Sequence, residues 1–302
     1  VRSLNRGLKH HVLAMTLLDL PAFSSVAKLL REAALKLRTA DSAITIAAPL
    51  NEEGVFASAL LEGALLDAGI PYQRRLRENP QPSKGPCIVI GEDTISQLPA
   101  ISTNPLCIHL SPVEVDALLS SGGEVRKGVM STVALSAALG YSISAGGSMT
   151  RLLMPWTLAG NWLSEGMEHT YDPVYTILRD FLSGEGLIRV VPLPEVPEIN
   201  PNSMPGVDLA ALGAIRDRWG QLDLEGRAQS ISHLLKHLLD SETPSTARFE
   251  ELGWHRILSV GWERDLASQL TLFCDTWREH PGGRRIQAGN AIDHLLRTGQ
   301  LP

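Results

Sequence analysis

What this sequence has little of narrows its function before any motif is read. Three cysteines occur in 302 residues, Cys87, Cys107 and Cys274, and none stands at CxxC spacing to another. That excludes a disulfide framework and a cysteine-rich zinc module, and it suits a reducing compartment, so a cytoplasmic protein is expected. No run approaches the roughly 18 apolar residues that a membrane span needs, so no membrane span is expected. There is no basic excess: 27 Lys and Arg stand against 33 Asp and Glu, a net charge of -6. The whole chain is therefore not a nucleic-acid coat, although a local basic patch remains open. Arg2, Arg6, Lys9, His10 and His11 precede an apolar run, VLAMTLLDLPAF. Asp19 and Pro21 interrupt that run, where a signal peptide needs a longer apolar stretch and a small-residue cleavage site. The run reads as the start of a folded domain.

What is present is an ordinary globular composition, 44% hydrophobic and 20% charged, at a length that suits two domains. Residues 22–39 carry apolar side chains at helical spacing, from Val26 to Leu37. Residues 41–49 read as a buried strand and 55–69 as a helix that Gly69 stops. IPYQRRL at 70–76, CIVIG at 87–91 and LCIHL at 106–110 read as further strands. Strands alternating with helices predict an α/β fold, a mainly parallel sheet flanked by helices. The stretch 111–185 reads mostly as helix, at 111–119, 128–139, 149–163 and 173–182, with one more strand near Arg189–Val191. Five prolines then fall between 192 and 205, which makes that segment extended. The expected division is an α/β domain over 1–191, a proline-rich linker over 192–207 and an all-helical region over 208–302. The helices of that last region are expected at 208–219, 224–241, 245–260, 262–279 and 285–297.

The strand Ile44–Ala48, then Pro49-Leu-Asn51-Glu-Glu53-Gly54, then a small-residue helix ending at Ala68-Gly69-Ile70, carries the most information. This framework resembles the first motif of the DHH phosphoesterases, in particular archaeal RecJ-like proteins. Members of that family place His-x-Asp-x-Asp-Gly after the strand and hold two divalent ions there. In this chain the histidine position is Pro49, the first aspartate position is Asn51 and the second is Glu53. The third strand, expected to end in aspartate, ends at Gly91 or Glu92. The fourth, expected to read Asp-His-His-x-Pro, reads Ile108-His109-Leu110-Ser-Pro112. The last ligand, an aspartate, corresponds to Asn161, because no aspartate occurs between Asp116 and Asp172. Hard divalent ions need carboxylate and imidazole ligands, so the resemblance implies a scaffold that has lost its metal site, with no catalytic residue and no cofactor. It spans residues 22–191.

Other candidates compete with blander readings. Arg74, Arg75 and Arg77, with Lys84 downstream, form a basic cluster that would suit phosphates of nucleic acid or simply a solvated loop. His233 and His237 have metal-ligand spacing but lack the glutamate of His-Glu-x-x-His, so a polar helix face is expected. Gly146-Gly147-Ser148 suits either a phosphate cradle or a helix cap. His280-Pro-Gly-Gly-Arg-Arg285 is similar to a glycine-rich segment of the accessory domain in active relatives, and a turn between helices explains it as well. His109 reads as a hydrogen-bonded strand-end histidine rather than a ligand. Four of the six tryptophans lie in 208–302, for a core or a partner contact.

Metal-free RecJ-like proteins resemble the RecJ-derived subunit of the eukaryotic CMG replicative helicase. The resemblance implies a non-catalytic replisome subunit that binds a GINS-type complex and, through it, the MCM helicase in DNA replication, with single-stranded DNA as a further contact. The alternative is a divergent metal-dependent phosphoesterase or single-strand exonuclease using Glu53, Glu92, Asp93 and His109. A small-molecule site at the carboxyl edge of the sheet is the third reading.

Overall fold

The computed structural model describes residues 16–91, 98–119, 125–164, 166–238 and 245–302. Residues 1–15, and with them the basic N-terminal stretch, lie outside the described residues, as do Glu92 and Asp93. In chain order the elements begin with α1 (Ala27–Arg38), β1 (Ile44–Pro49), α2 (Glu52–Asp67), β2 (Tyr72–Arg77), β3 (Cys87–Ile90), β4 (Ala100–Thr103) and β5 (Leu106–Leu110). There follow β6 (Val113–Leu119), β7 (Val125–Met130), α3 (Thr132–Ile143), α4 (Ser148–Leu153), α5 (Ala159–Leu163), α6 (Gly166–His169), α7 (Pro173–Gly184) and β8 (Arg189–Val191). The last part holds α8 (Leu209–Arg218), α9 (Leu224–Leu235), α10 (Thr246–Trp254), β9 (Arg256–Leu258), α11 (Leu266–Glu279) and α12 (Arg284–Thr298).

The main sheet has strand order β2-β1-β3-β5-β4, parallel except for the edge strand β4, which returns antiparallel beside β5. Its central strands are buried on both faces, which is why they read as continuous apolar runs. One face carries Ile44, Ile46, Ile88, Ile90, Ile108 and Leu110 into the same core as α1, α2 and α3. The other carries only small side chains into a separate cluster, Ala47, Cys87, Val89 and Cys107. The fold is thus α/β, a mainly parallel sheet with flanking helices followed by a largely helical region.

Three local expectations are overturned. Residues 113–119 are a strand and not a helix, paired antiparallel with β7. Val113, Val115 and Ala117 are buried and alternate with the exposed Glu114 and Asp116, so the period is two. The helix expected from 128 begins only at Thr132, after the Ser131 side chain has capped the Ala134 N–H. In the C-terminal region the helix expected over 245–260 stops at Trp254, and Arg256–Leu258 forms a strand that pairs with β8 across the proline-rich segment. That segment is packed, with Leu193, Val196 and Met204 buried.

Helix α2 is the axis of the molecule. Every residue from Gly54 to Leu65 is buried. Small residues let its neighbours approach: a Cβ on Gly140 of α3 would lie 3.1 Å from the Leu60 carbonyl oxygen, and one on Gly63 would lie 2.7 Å from Leu153 of α4. Phe56 of α2 stacks on Trp156 at 5.2 Å between ring centroids and meets Phe273 of α11 edge-on at 5.8 Å. Trp156 in turn packs on Trp262 at 5.0 Å and donates its indole N–H to the Gly299 carbonyl at 2.9 Å. The core therefore runs without a break from Leu17 to Leu301. Tryptophans 219, 262 and 277 of the C-terminal region are buried in this packing.

Buried arginines fasten the C-terminal helices. Arg256 and Asp265 are both 0% exposed and 2.8 Å apart. Arg256 also donates to the Leu252 carbonyl at 2.6 Å and to the Ser203 hydroxyl at 3.2 Å. One guanidinium thus joins the end of α10, the start of α11 and the proline-rich segment. Arg179 of α7 pairs with Glu251 of α10 at 2.6 Å, and Glu168 of α6 with Arg248 of α10 at 2.6 Å, the latter guanidinium lying over the Trp162 ring. Replacing one member of a buried pair strands the other charge in a medium that solvates it poorly. Arg256→Met is accordingly expected to lose about 3–5 kcal/mol of stability, read from the urea unfolding midpoint. A loss below about 1 kcal/mol would mean that Asp265 finds solvent or another partner once the arginine is gone.

Candidate functional site

The topological switch point of a doubly wound sheet lies where neighbouring strands leave in opposite directions, here between β1 and β3. The positions singled out in the sequence fall at this carboxyl edge or behind it. Pro49 ends β1, and Asn51 is the N-cap of α2, its side chain accepting the Gly54 N–H at 2.8 Å. Gly54 is required there, because a Cβ would lie 2.1 Å from the Pro49 carbonyl oxygen. Glu53 accepts the Thr132 hydroxyl at 3.0 Å, which ties the first turn of α2 to the first turn of α3. Gly91 follows β3 and donates its N–H to the Leu110 carbonyl at 2.7 Å. Ile108 and Leu110 point into the helix-side core.

His109 is on the opposite face, half-buried, with its Nε2 3.2 Å from Cys107 Sγ. Burial, and the neighbouring Cys87 thiol, push the Cys107 thiol up to about 12. It is protonated at neutral pH and does not supply a thiolate nucleophile.

Asn161 lies deeper. It is 2% exposed and donates to the Val129 carbonyl and to Asp172 Oδ2, both at 2.8 Å. Asp172 also caps α7 by accepting the N–H groups of Val174 and Tyr175. Asn161 is therefore a brace between β7, the start of α3 and α7. Burial raises the Asp172 carboxyl, against the lowering effect of the Asn161 amide and the two N–H groups.

The edge therefore brings together two helix N-termini, a capping asparagine and one glutamate. Among the described residues no group of three or more His, Cys, Asp or Glu side chains is placed to hold a metal ion. Glu92 and Asp93, two members of the alternative ligand set, are outside the described residues.

The remaining candidates also resolve into contacts. Arg74 is held bidentate by the fully buried Glu62, at 2.5 and 2.6 Å, and by Asp293 of α12 at 2.8 Å. Its guanidinium is committed inside the fold, which leaves Arg75 and Arg77 exposed on the edge strand β2. Gly146-Gly147-Ser148 does precede a helix, but the anion there is internal: Asp67 accepts the Met149 and Thr150 N–H groups and the Thr150 hydroxyl, at 3.2, 2.7 and 2.8 Å. A Cβ on Gly147 would lie 2.0 Å from Asp67 Oδ2, so the glycine serves this carboxylate. His233 is in α9, and the His237 side chain is outside the described residues. Residues 280–283 form the turn between α11 and α12, and Arg284 and Arg285 open α12. The sequence reading missed Asp67 and Asp172, whose partners lie far along the chain or in a loop without a motif.

No protein-family model matches the chain, and no curated protein is significantly similar to it. No helix among the described residues is long and apolar enough to cross a membrane.

The brace at Asn161 gives a direct test. Asn161→Asp would set a second carboxylate against Asp172 at hydrogen-bond distance, and two such groups cannot both ionise at low cost. The pair's upper pKa would exceed its unfolded value, so stability would fall as pH rises through it. The variant is expected to lose about 1–3 kcal/mol near pH 7 and less near pH 4, by thermal or urea unfolding. Manganese is expected to leave the loss unchanged. Recovery with manganese would reveal a metal site and favour the phosphoesterase reading.

Proposed function

We propose that this chain is a non-catalytic RecJ-like subunit of an archaeal replisome, acting in the cytoplasm by binding a GINS-type complex and, through it, the MCM helicase. The observation that carries the reading is the use of the motif positions. Where the family's metal-binding pattern calls for ligands, Asn51 caps α2, Ile108 and Leu110 fill the core, and Asn161 braces three elements. These positions are given to holding the fold. A scaffold retained in that form supports binding rather than phosphate chemistry, because the hydroxide and the phosphate clamp both require the ions. The net charge of -6 favours a protein partner over a long nucleic-acid channel. Arg75 and Arg77 remain the candidate contacts for single-stranded DNA.

Two measurements test this. The purified chain is expected to co-elute with GINS subunits from its own source at micromolar concentration in size-exclusion chromatography with light scattering. Separate elution of two folded components would count against a stable partnership. No manganese-dependent degradation of single-stranded DNA is expected, and robust degradation abolished by Glu53→Ala would overturn the non-catalytic assignment.

A further inference from the structure

A cavity of about 490 Å³ lies away from the sheet edge, beside the packed proline-rich segment. Pro197 to Pro201 form one wall, and α8 and α11 form the others through Leu209, Leu212 and Leu272. Two of those leucines are still open to solvent, Leu209 at 47% and Leu272 at 37%. A smaller cavity of about 120 Å³ shares Glu198, Arg264 and Leu272 with it and leads on to Gln300–Pro302. Another, of about 330 Å³, shares Pro197 and extends to Val260, whose side chain is 90% exposed. The three adjoin one another along residues 195–201. They form a trough, apolar at intervals, rather than a closed chamber.

Among the described residues, one charge lining the main cavity has no ion-pair partner. Glu198 is engaged by Arg264 at 3.1 Å. Arg216 also lines the main cavity. Its Nη2 donates to the Val196 carbonyl at 2.6 Å, and its Nε is buried without a hydrogen-bond partner among the described residues. No carboxylate among the described residues pairs with it, and burial alone lowers its pKa. A buried guanidinium donor without a partner is a cost that a native fold retains only where something else repays it. The arginines buried as whole residues, Arg179, Arg248 and Arg256, each have a carboxylate.

We propose that this trough is a docking site for an acidic peptide segment, an aspartate or glutamate meeting Arg216 and flanking aliphatic side chains seated on Leu209, Leu212 and Leu272. The elongated, solvent-open shape suits an extended polypeptide better than a compact small molecule, whose surface a site normally buries almost completely. A carboxylate–guanidinium contact supplies specificity, and the leucines supply area. The inference stands on the cavity and its charge, and does not depend on the replication reading.

The test uses the full chain and a short capped, fluorescein-labelled peptide alternating leucine with aspartate, followed by polarisation. A matched peptide has asparagine in place of aspartate. The aspartate peptide is expected to bind at micromolar concentration, and the asparagine peptide about tenfold or more weakly. Arg216→Gln is expected to remove that discrimination. Because Arg216 also holds the Val196 carbonyl, a second variant guards against misfolding. Leu209→Asp, at an exposed position in the first turn of α8 where acidic residues are tolerated, should weaken the aspartate peptide at least tenfold with unchanged thermal stability. Equal affinity for the two peptides, no binding at millimolar concentration, or full binding by Leu209→Asp would each overturn the proposal. So would amide shift perturbations that map away from residues 196–216 and 264–272.

Discussion

Helix α2 can be enclosed on every side only because its surface is mostly small or apolar and its one deeply buried charge is answered. Gly54 lets the first turn press onto the end of β1, Gly63 admits α4, and Gly140 on α3 makes room for the backbone near Leu60. Glu62 would be untenable in that position alone. Arg74 from the edge strand answers it and also pairs with Asp293 from α12, so one guanidinium registers the helix, the sheet edge and the C-terminal helix against one another. The C-terminal region is consequently part of the same packing unit as the sheet. It supplies the third member of the triad and the aromatic rings that cover Phe56.

Much of this was legible in the residues. The central strands announce themselves as short apolar runs, and α2 as a long helix bounded by Asn51 and Gly69, because burial on both sides and capping leave a local trace. The β6–β7 ribbon was hidden by leucine- and alanine-rich composition, although Val-Glu-Val-Asp-Ala alternates with period two. Strand β9 was hidden because its three residues sit between two helices and contain Arg256, a residue that composition places on a surface. Only the tertiary fold reveals that this arginine is enclosed with Asp265, nine residues away.

The candidate site divides the same way. Asn51 and Gly54 could be recognised as a helix start from their order alone. The role of Asn161 could not, because its partners come from the start of β7's exit and from Asp172, and no spacing rule links an asparagine to either. Asp67 sits 82 residues from the Met149 N–H it accepts, so the glycine loop before α4 reads as an open anion site in the sequence and as a filled one in the fold. Arg216 has the opposite history. Nothing in its neighbours along the chain separates it from the other arginines; its buried, unpartnered Nε at the wall of a cavity does.

The closure of the core by Gly299 and Asp293 fixes an order of events during synthesis. Arg74 and Asp293 are 219 residues apart, and the Trp156 indole and its acceptor are 143 apart. While α12 is still in the ribosome, Arg74 has only one of its two carboxylate partners, and the Trp156 indole N–H lacks the carbonyl it will meet. Until α12 emerges, the side of α2 that packs against it stays uncovered. Contacts of such long sequence separation slow the final collapse and lengthen exposure to aggregation. The contacts that join α12 to the rest of the fold leave the nascent chain with apolar surface exposed until that helix has emerged.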